Sequence, residues 1–314
     1  MGEFELIQHY FKNAPCATLT DVISLGIGDD CALLKPNPQT EIAISTDTLV
    51  SDVHFPLNGD PFFIAQRALA VTVSDLAAMG AKPIGFTLAL TLPKVDESWL
   101  QAFAEGLSVK AKECAIQLIG GDTTKGPLAI TITVLGEVPD GKALRRDGAQ
   151  VGDLLCITDY LGEAAGALPM VLENKPYDSS PLLKQYWSPI PQLEIAMALR
   201  DKATACLDIS DGLLADCGHI AKASQVALVI ELDKLCLSTN LQANYPLQQC
   251  QQLALTGGDD YQLAFTIPST YIAELQSQYP SLQVIGKVGQ GQGVKVIDNN
   301  GELLSFMIKG YQHF

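Results

Sequence analysis

Six short motifs place aspartate beside glycine or a hydroxyl residue: Gly26-Ile27-Gly28-Asp29-Asp30, Ser45-Thr46-Asp47, Ser74-Asp75, Gly120-Gly121-Asp122-Thr123-Thr124, Asp208-Ile209-Ser210-Asp211-Gly212 and Gly257-Gly258-Asp259-Asp260-Tyr261. One such motif alone reads as turn and helix-cap chemistry. Six together, always using Asp where Asn or Ser would cap as well, favour a cation-binding cluster. Carboxylates and hydroxyls without neighbouring His or Cys form a hard, all-oxygen donor set suited to Mg²⁺, Mn²⁺ or Ca²⁺. Magnesium usually takes one or two carboxylates together with substrate phosphates, so dispersed acids point to a phosphate-bearing ligand held through metal ions. Asp75 is the sharpest case, because Ile64, Ala68 and Val71 place apolar neighbours on its side of a helix, where an unpaired carboxylate is costly.

The chain contains neither a G-x-x-x-x-G-K-[ST] loop nor a kinase-type G-x-G-x-x-G, so any ATP chemistry needs another cradle. Gly120-Gly121 and Gly257-Gly258 allow close backbone approach to phosphate oxygens. Arg145 and Arg146 are the only adjacent arginines; one of them reaching a phosphate and a solvated loop charge are the two readings open.

These groups must be positioned by a sizeable fold. The 314 residues suggest about two domains. Hydrophobic content of 47% against 18% charged excludes disorder. The net charge of -15, without a basic cluster, argues against nucleic acid and anionic membrane. No apolar run approaches a membrane span, and Met1-Gly2-Glu3-Phe4-Glu5 lacks a basic region followed by an apolar stretch, so a soluble, unexported, cytoplasmic protein is expected. Eight scattered cysteines without a C-x-x-C pair read as buried free thiols.

Strand patterns at 42–45, 84–92 and 128–138 alternate with helical periodicity at 62–79 and 99–115, giving a mixed first half. The turn-rich stretch 139–148 sets a domain boundary near residue 149. Beyond it, strands at 154–158, up to Asp208, 226–232, 262–267, 284–288 and 294–297 interleave with helices at 163–172, 193–199 and 213–223, while prolines 176, 181, 189 and 191 break the segment between. This order predicts α/β layers, with the aspartates at the C-terminal ends of strands, where open α/β sheets bind ligands.

The six motifs, together with Thr48-Leu49-Val50, His54-Phe55, Leu76-Ala77-Ala78-Met79-Gly80-Ala81 and the terminal Gly310-Tyr311-Gln312-His313-Phe314, resemble thiamine-monophosphate kinase over essentially the whole chain, in order. That family belongs to the aminoimidazole ribonucleotide synthetase superfamily. The resemblance implies a two-domain α/β architecture: an ATP- and metal-binding, dimerising N-terminal domain (1–149), mixed α+β, and an α/β C-terminal domain (150–314) that completes the site. It implies a homodimer and Mg²⁺-dependent, direct transfer of the γ-phosphoryl group of ATP to thiamine monophosphate, the last step to thiamine diphosphate. Carried over by position, several Mg²⁺ ions would be held by Asp30, Ser45, Thr46, Asp47, Asp75, Asp122, Asp208 and Asp211. ATP would meet Gly121, Asp122, Arg146 and Ser210, and thiamine monophosphate would meet His54, Asp259 and Tyr311. The chain departs from the family at Asp259, where Glu is usual, at Thr158-Asp159, and at Trp187-Ser188-Pro189-Ile190-Pro191-Gln192, where an Arg-x-Pro-x-Pro-Arg run is usual; Asp147 after Arg146 is also uncommon. A calcium-storing module would favour contiguous acidic loops, and a selenophosphate synthetase would need a reactive Cys with a nearby Lys close to the N-terminus, a setting Cys16 lacks.

Overall fold

The computed structural model describes residues 2–306, the side chains of Glu3 and Phe4 excepted. In chain order its strands are β1 (Ile23–Leu25), β2 (Leu33–Leu34), β3 (Thr40–Val50), β4 (Lys82–Leu92), β5 (Gln117–Lys125), β6 (Ala129–Pro139), β7 (Leu154–Ile157), β8 (Ala205–Asp208), β9 (Ala227–Glu231), β10 (Leu263–Ile267), β11 (Gln283–Gly289), β12 (Gly293–Ile297) and β13 (Leu303–Leu304). They form a two-stranded ribbon β1-β2, a four-stranded sheet β3-β6-β4-β5 and a seven-stranded sheet β13-β12-β9-β11-β7-β10-β8.

In the four-stranded sheet, β3 and β6 pair antiparallel over their whole length, from Thr40 opposite Pro139 to Val50 opposite Ala129. Period-two alternation buries Ile130, Ile132 and Val134 of β6 against helices. The other face carries hydroxyl pairs, Thr46 with Thr133 (2.8 Å) and Thr48 with Thr131 (2.9 Å), beside an exposed Ile44.

The helix Pro61–Ala78 lies under the buried face. Asp60 caps it through Phe62 N (2.9 Å), Pro61 supplies the preset first-turn geometry, and Gly80, with φ +64°, ends it in the left-handed region. It is apolar on nearly every side and accordingly buried on nearly every side. The helix Glu97–Glu113 crosses it so closely at Gly106 that an added Cβ would lie 2.0 Å from the Phe62 carbonyl oxygen.

The seven-stranded sheet differs from a doubly wound layer. Helices and strands alternate as expected, but every neighbouring pair is antiparallel except β12 with β9. One face packs Leu155, Leu207 and Ile230 against the helix Leu213–Ser224. The other packs Cys206, Leu263 and Phe265 with Leu199, Ala77 and Ala78, so the C-terminal turn of Pro61–Ala78 reaches the second sheet. The prolines that read as breakers frame a helix, Pro181–Trp187, in which Pro181 occupies the first turn after a Ser180 cap. Helices Thr239–Asn244, Leu247–Thr256 and Ile272–Gln278 add to those seen in the sequence. Six cysteines are buried, whereas Cys31 and Cys236 are exposed, against expectation.

Candidate active site

Only Asp208 of the motif acids closes a strand at its C-terminal end. Asp47 sits in the middle of β3, Asp122 within β5, Asp75 in the last turns of Pro61–Ala78, and Asp259 before β10. What gathers them is packing of one long helix across both sheets. Alternation along β3 turns Ser45 and Asp47 to the helix: the Ser45 hydroxyl donates to Asp75 Oδ2, and Asp47 faces Thr72, whose hydroxyl donates to the Ala68 carbonyl oxygen (3.0 Å). Ser74 Oγ donates to Asp208 Oδ2 (2.7 Å), joining the helix to β8. Thr46 also borders the site, with its hydroxyl turned outward to Thr133.

These carboxylates are crowded and poorly hydrated. Burial, then the charge of Asp75, pushes Asp47 up to about 6 despite the nearby Thr72 hydroxyl. Burial, then Asp75, pushes Asp208 up to about 7 against the Ser74 bond. Asp75 is raised by burial, with Ser45 and Arg146 acting in the opposite sense. Neutralising cations are what such a group lacks.

All three acids line one open cavity of about 750 Å³, together with His54, Arg67, Ser210, Asp259 and Tyr261. A second hollow of about 220 Å³ shares Asp75 and Asp208 and adds Ser45 and Arg146. Asp147 forms its ion pair with Arg145 (2.7 Å), so the acid after Arg146 engages the other arginine. In the loop after β8, the backbone N–H groups of Ser210, Asp211 and Gly212 all donate to Asp216 Oδ2 (3.1, 2.9 and 3.0 Å). Burial nevertheless raises Asp216 to about 6. Asp211, half-buried, is thereby fixed beside Ser210.

The far end of the cavity is built differently. Asp259, with φ +69°, pairs its Oδ1 with Arg67 Nη2 at 2.8 Å and also accepts from Tyr261 Oη at 3.1 Å. His54 Nδ1 accepts from Val50 N (3.0 Å), which leaves the proton of the neutral ring on Nε2.

The remaining residues predicted for the site lie elsewhere. Asp30 is exposed between β1 and β2, with its backbone N–H on Asp29 Oδ1 (2.9 Å). Gly121 and Asp122 border a separate hollow of about 40 Å³ against Phe11 and Ile27. Gly121 crosses β4 so tightly that a Cβ would meet Leu88 O at 2.0 Å. Tyr311 lies outside the described residues. Among the described residues, no three His, Cys, Asp or Glu side chains are arranged to enclose one metal ion. The acids are instead spread along the cavity wall. That spacing fits a hard cation that completes its shell with water and phosphate oxygens rather than with a protein cage.

The sequence assigns no role to Arg67, Thr72, Tyr186 or Asp216, and marks Ser74 only as part of its Ser-Asp motif. Arg67 was readable as the one cation in an otherwise apolar helix, two helical repeats of four before Asp75. Asp216 was readable as an acid in the first turn of the helix that opens after Gly212.

Residues 28–138 match the AIR synthase related protein, N-terminal domain, family. Over the whole chain, the thiamine-monophosphate kinase of Salmonella typhimurium is 42% identical, and the match covers 98% of that protein. The crystal structure of thiamine-monophosphate kinase from Stenotrophomonas maltophilia is 42% identical, covers 90% of this chain and 93% of that one, and superposes with a TM-score of 0.84. AaThiL complexed with AMPPCP and TMP is 30% identical, covers 94% of this chain and 93% of that one, and has a TM-score of 0.79.

Proposed function

The chain belongs to the thiamine-monophosphate kinase family, and from that premise we propose that it transfers the γ-phosphoryl group of ATP to the phosphate of thiamine monophosphate, giving thiamine diphosphate and ADP. The observation that carries this reading is the single cavity with desolvated acids at one end and the His54, Arg67 and Asp259 group at the other. Arg67 and Asp75 are eight residues apart on one helix, roughly 12 Å at 1.5 Å per residue. That span suits an acceptor whose phosphate meets the acids and whose rings extend toward Asp259. A relative of the same family binds AMPPCP and TMP together.

Transfer joins the γ-phosphorus to an acceptor phosphate oxygen and breaks its bond to the β–γ bridging oxygen, whose electron pair leaves with ADP. The acceptor oxygen is already anionic at neutral pH, so no general base is required. Cys206 borders the hollow of about 220 Å³, but burial, reinforced by Asp208, pushes its thiol up, so this cysteine is not poised as a nucleophile. The protein's work is therefore alignment and charge neutralisation. Asp47, Asp75 and Asp208 would hold Mg²⁺, which when bound neutralises phosphoryl oxygens that these acids would otherwise repel. Asp211 and the Ser45 and Thr46 oxygens extend the set in this reading, whereas Asp30 and Asp122 stand outside the cavity. Ser45 and Ser74 fix Asp75 and Asp208 by hydrogen bonds. Arg146 and Ser210 would face the ATP phosphates from the rim, and His54 Nε2–H, Asp259 and Tyr311 would orient the acceptor; Gly121 stands outside the cavity, beside the separate hollow.

The same reading includes a homodimer formed through the four-stranded sheet, whose outer face presents Ile44, 64% exposed, among threonine pairs. It also includes a two-domain division near residue 149 and a cytoplasmic setting, where free thiols suit a reducing compartment. No helix among the described residues is long and apolar enough to cross a membrane.

Product identification tests the function. Incubation with ATP, Mg²⁺ and a panel of thiamine monophosphate, thiamine and aminoimidazole ribonucleotide precursors should yield thiamine diphosphate and ADP in equal amounts from the first acceptor. ATP consumption with another acceptor, and none with thiamine monophosphate, would refute it. Direct transfer should invert configuration at a chiral γ-phosphate; retention would indicate a phosphorylated enzyme.

A further inference from the structure

Arg67 is the least expected residue in the cavity. It is 3% exposed, and a guanidinium carried out of water needs partners on every side. Nη2 pairs with Asp259 Oδ1 at 2.8 Å, Nη1 donates to the Tyr186 carbonyl oxygen at 2.8 Å, and the guanidinium carbon stands 4.0 Å from the centre of the Tyr186 ring. Among the described residues, no acceptor meets its Nε. Burial opposes the charge, but Asp259 and the two tyrosines Tyr186 and Tyr261 hold the group protonated.

The contacts continue outward. Tyr186 Oη donates to the His54 carbonyl oxygen at 3.1 Å, and Tyr261 Oη donates to Asp259 Oδ1 at 3.1 Å. Four separate pieces of chain are thus tied at one point: the turn carrying His54, the helix Pro61–Ala78, the helix Pro181–Trp187 and the loop carrying Asp259 and Tyr261. The loop needs such a tie, because Asp259 and Tyr261 both take left-handed backbone conformations, with φ of +69° and +51°. Both bonds fall on Oδ1 of Asp259, whose side chain is 38% exposed; Oδ2 takes part in neither.

We propose that Arg67 is a positioning residue for the acceptor: it locks the Asp259 loop and the Tyr186 helix against the His54 turn and leaves Asp259 Oδ2 directed to the acceptor. This rests on the thiamine monophosphate reading above. The cationic ring of the acceptor then meets a carboxylate already matched in charge, so binding depends on where Oδ2 stands more than on net charge. The arginine fork matters for the same reason, since a lysine keeps the charge but cannot hold Tyr186 and Asp259 in one plane.

Steady-state kinetics of Arg67→Met, Arg67→Lys, Asp259→Asn and the Arg67→Met/Asp259→Asn double variant, each substrate varied in turn, test the assignment. Arg67→Met should raise KM for thiamine monophosphate about tenfold or more, with KM for ATP and the Mg²⁺ requirement changed by less than about twofold. Arg67→Lys should fall between, with a rise of about threefold. The double variant should be little worse than Arg67→Met, since both changes break one device. Parallel rises in both KM values, a loss confined to kcat, or additive losses in the double variant would overturn the proposal. If Arg67→Met does not fold, Arg67→Lys decides: a selective rise in acceptor KM supports the role and an unchanged acceptor KM ends it. A wild-type enzyme that ignores thiamine monophosphate, while the variants shift KM for another acceptor on the panel, would refute the functional reading and leave the positioning role standing. Wild-type turnover of thiamine monophosphate with KM unmoved in the variants would remove the positioning role alone.

Discussion

At one end of the cavity Asp47, Asp75 and Asp208 press on one another, and Arg146 on the rim relieves only Asp75. At the other end Asp259 is matched by a buried arginine at 2.8 Å. The same side chain thus occupies two opposite electrostatic situations within one hollow. Hydroxyl groups from Ser45 and Ser74 orient Asp75 and Asp208 but carry no charge, so the imbalance persists until something charged arrives. The second set is balanced within the chain. We read the contrast as a division of labour: the acidic end waits for a cation and the phosphates it carries, and the paired end holds shape.

The largest effect should come from breaking the acidic end. Asp75→Asn and Asp47→Asn should each lower kcat on the order of a hundredfold or more, because each removes a ligand from the transferring charge. Yet Asp47→Asn should melt higher than wild type when both are metal-free at pH 8, because a buried carboxylate facing Asp75 has been neutralised. Thermal melts with and without chelator, run beside the kinetics, check both halves. Lower stability together with normal turnover would erase the contrast.

A smaller effect separates a buried acid that is structural from those that await a ligand. Asp260 accepts from Gly162 N (2.6 Å) and Ala164 N (3.3 Å), yet burial outweighs these bonds and raises it to about 8. The folded chain holds this proton more tightly than the unfolded chain does. Its contribution to stability is therefore complete below about pH 4 and is lost as the pH rises through about 8. Asp260→Asn should flatten that part of the pH profile in urea unfolding between pH 5 and pH 8, by up to a few kcal/mol, and should leave the Mg²⁺ requirement unchanged. An unaltered slope would mean that the group is ionised throughout.

The smallest change concerns the two arginines. Arg145 and Asp147 form an exposed pair, which is worth little, so Arg145→Gln should change KM for ATP by less than about twofold. Arg146→Gln, at the rim shared with Asp75, should raise it about tenfold. Reversal of this order would move the ATP phosphates to the other side of the loop.

Much of this was legible before the structure. Helical periodicity at 62–79 gave the helix Pro61–Ala78 to within a residue, and joint reading of the acids brought Asp47, Asp75 and Asp208 to one place. Their setting was misread because the apolar run Ile42-Ala43-Ile44 is only the first part of β3; the polar residues 45–48 continue the strand, facing a helix on one side and threonines on the other. Sequence order also carries no signal for antiparallel pairing of β7, β10 and β8 in the second sheet. The resemblance set Asp259 on the substrate side but not as half of an ion pair, because its partner lies nearly two hundred positions earlier in a helix that reads as core. Prolines misled at Pro181, where the ring opens a helix rather than breaking one.

On this division of labour the acidic end takes its missing positive charge from outside and the paired end does not. Calorimetric titration of Mg²⁺ with a non-hydrolysable ATP analogue, into wild type, Asp75→Asn and Asp259→Asn, tests it most directly. Asp75→Asn should lose most of the metal-dependent uptake of the analogue, and Asp259→Asn should keep it. Equal uptake by wild type and Asp75→Asn, or loss in Asp259→Asn alone, would contradict it.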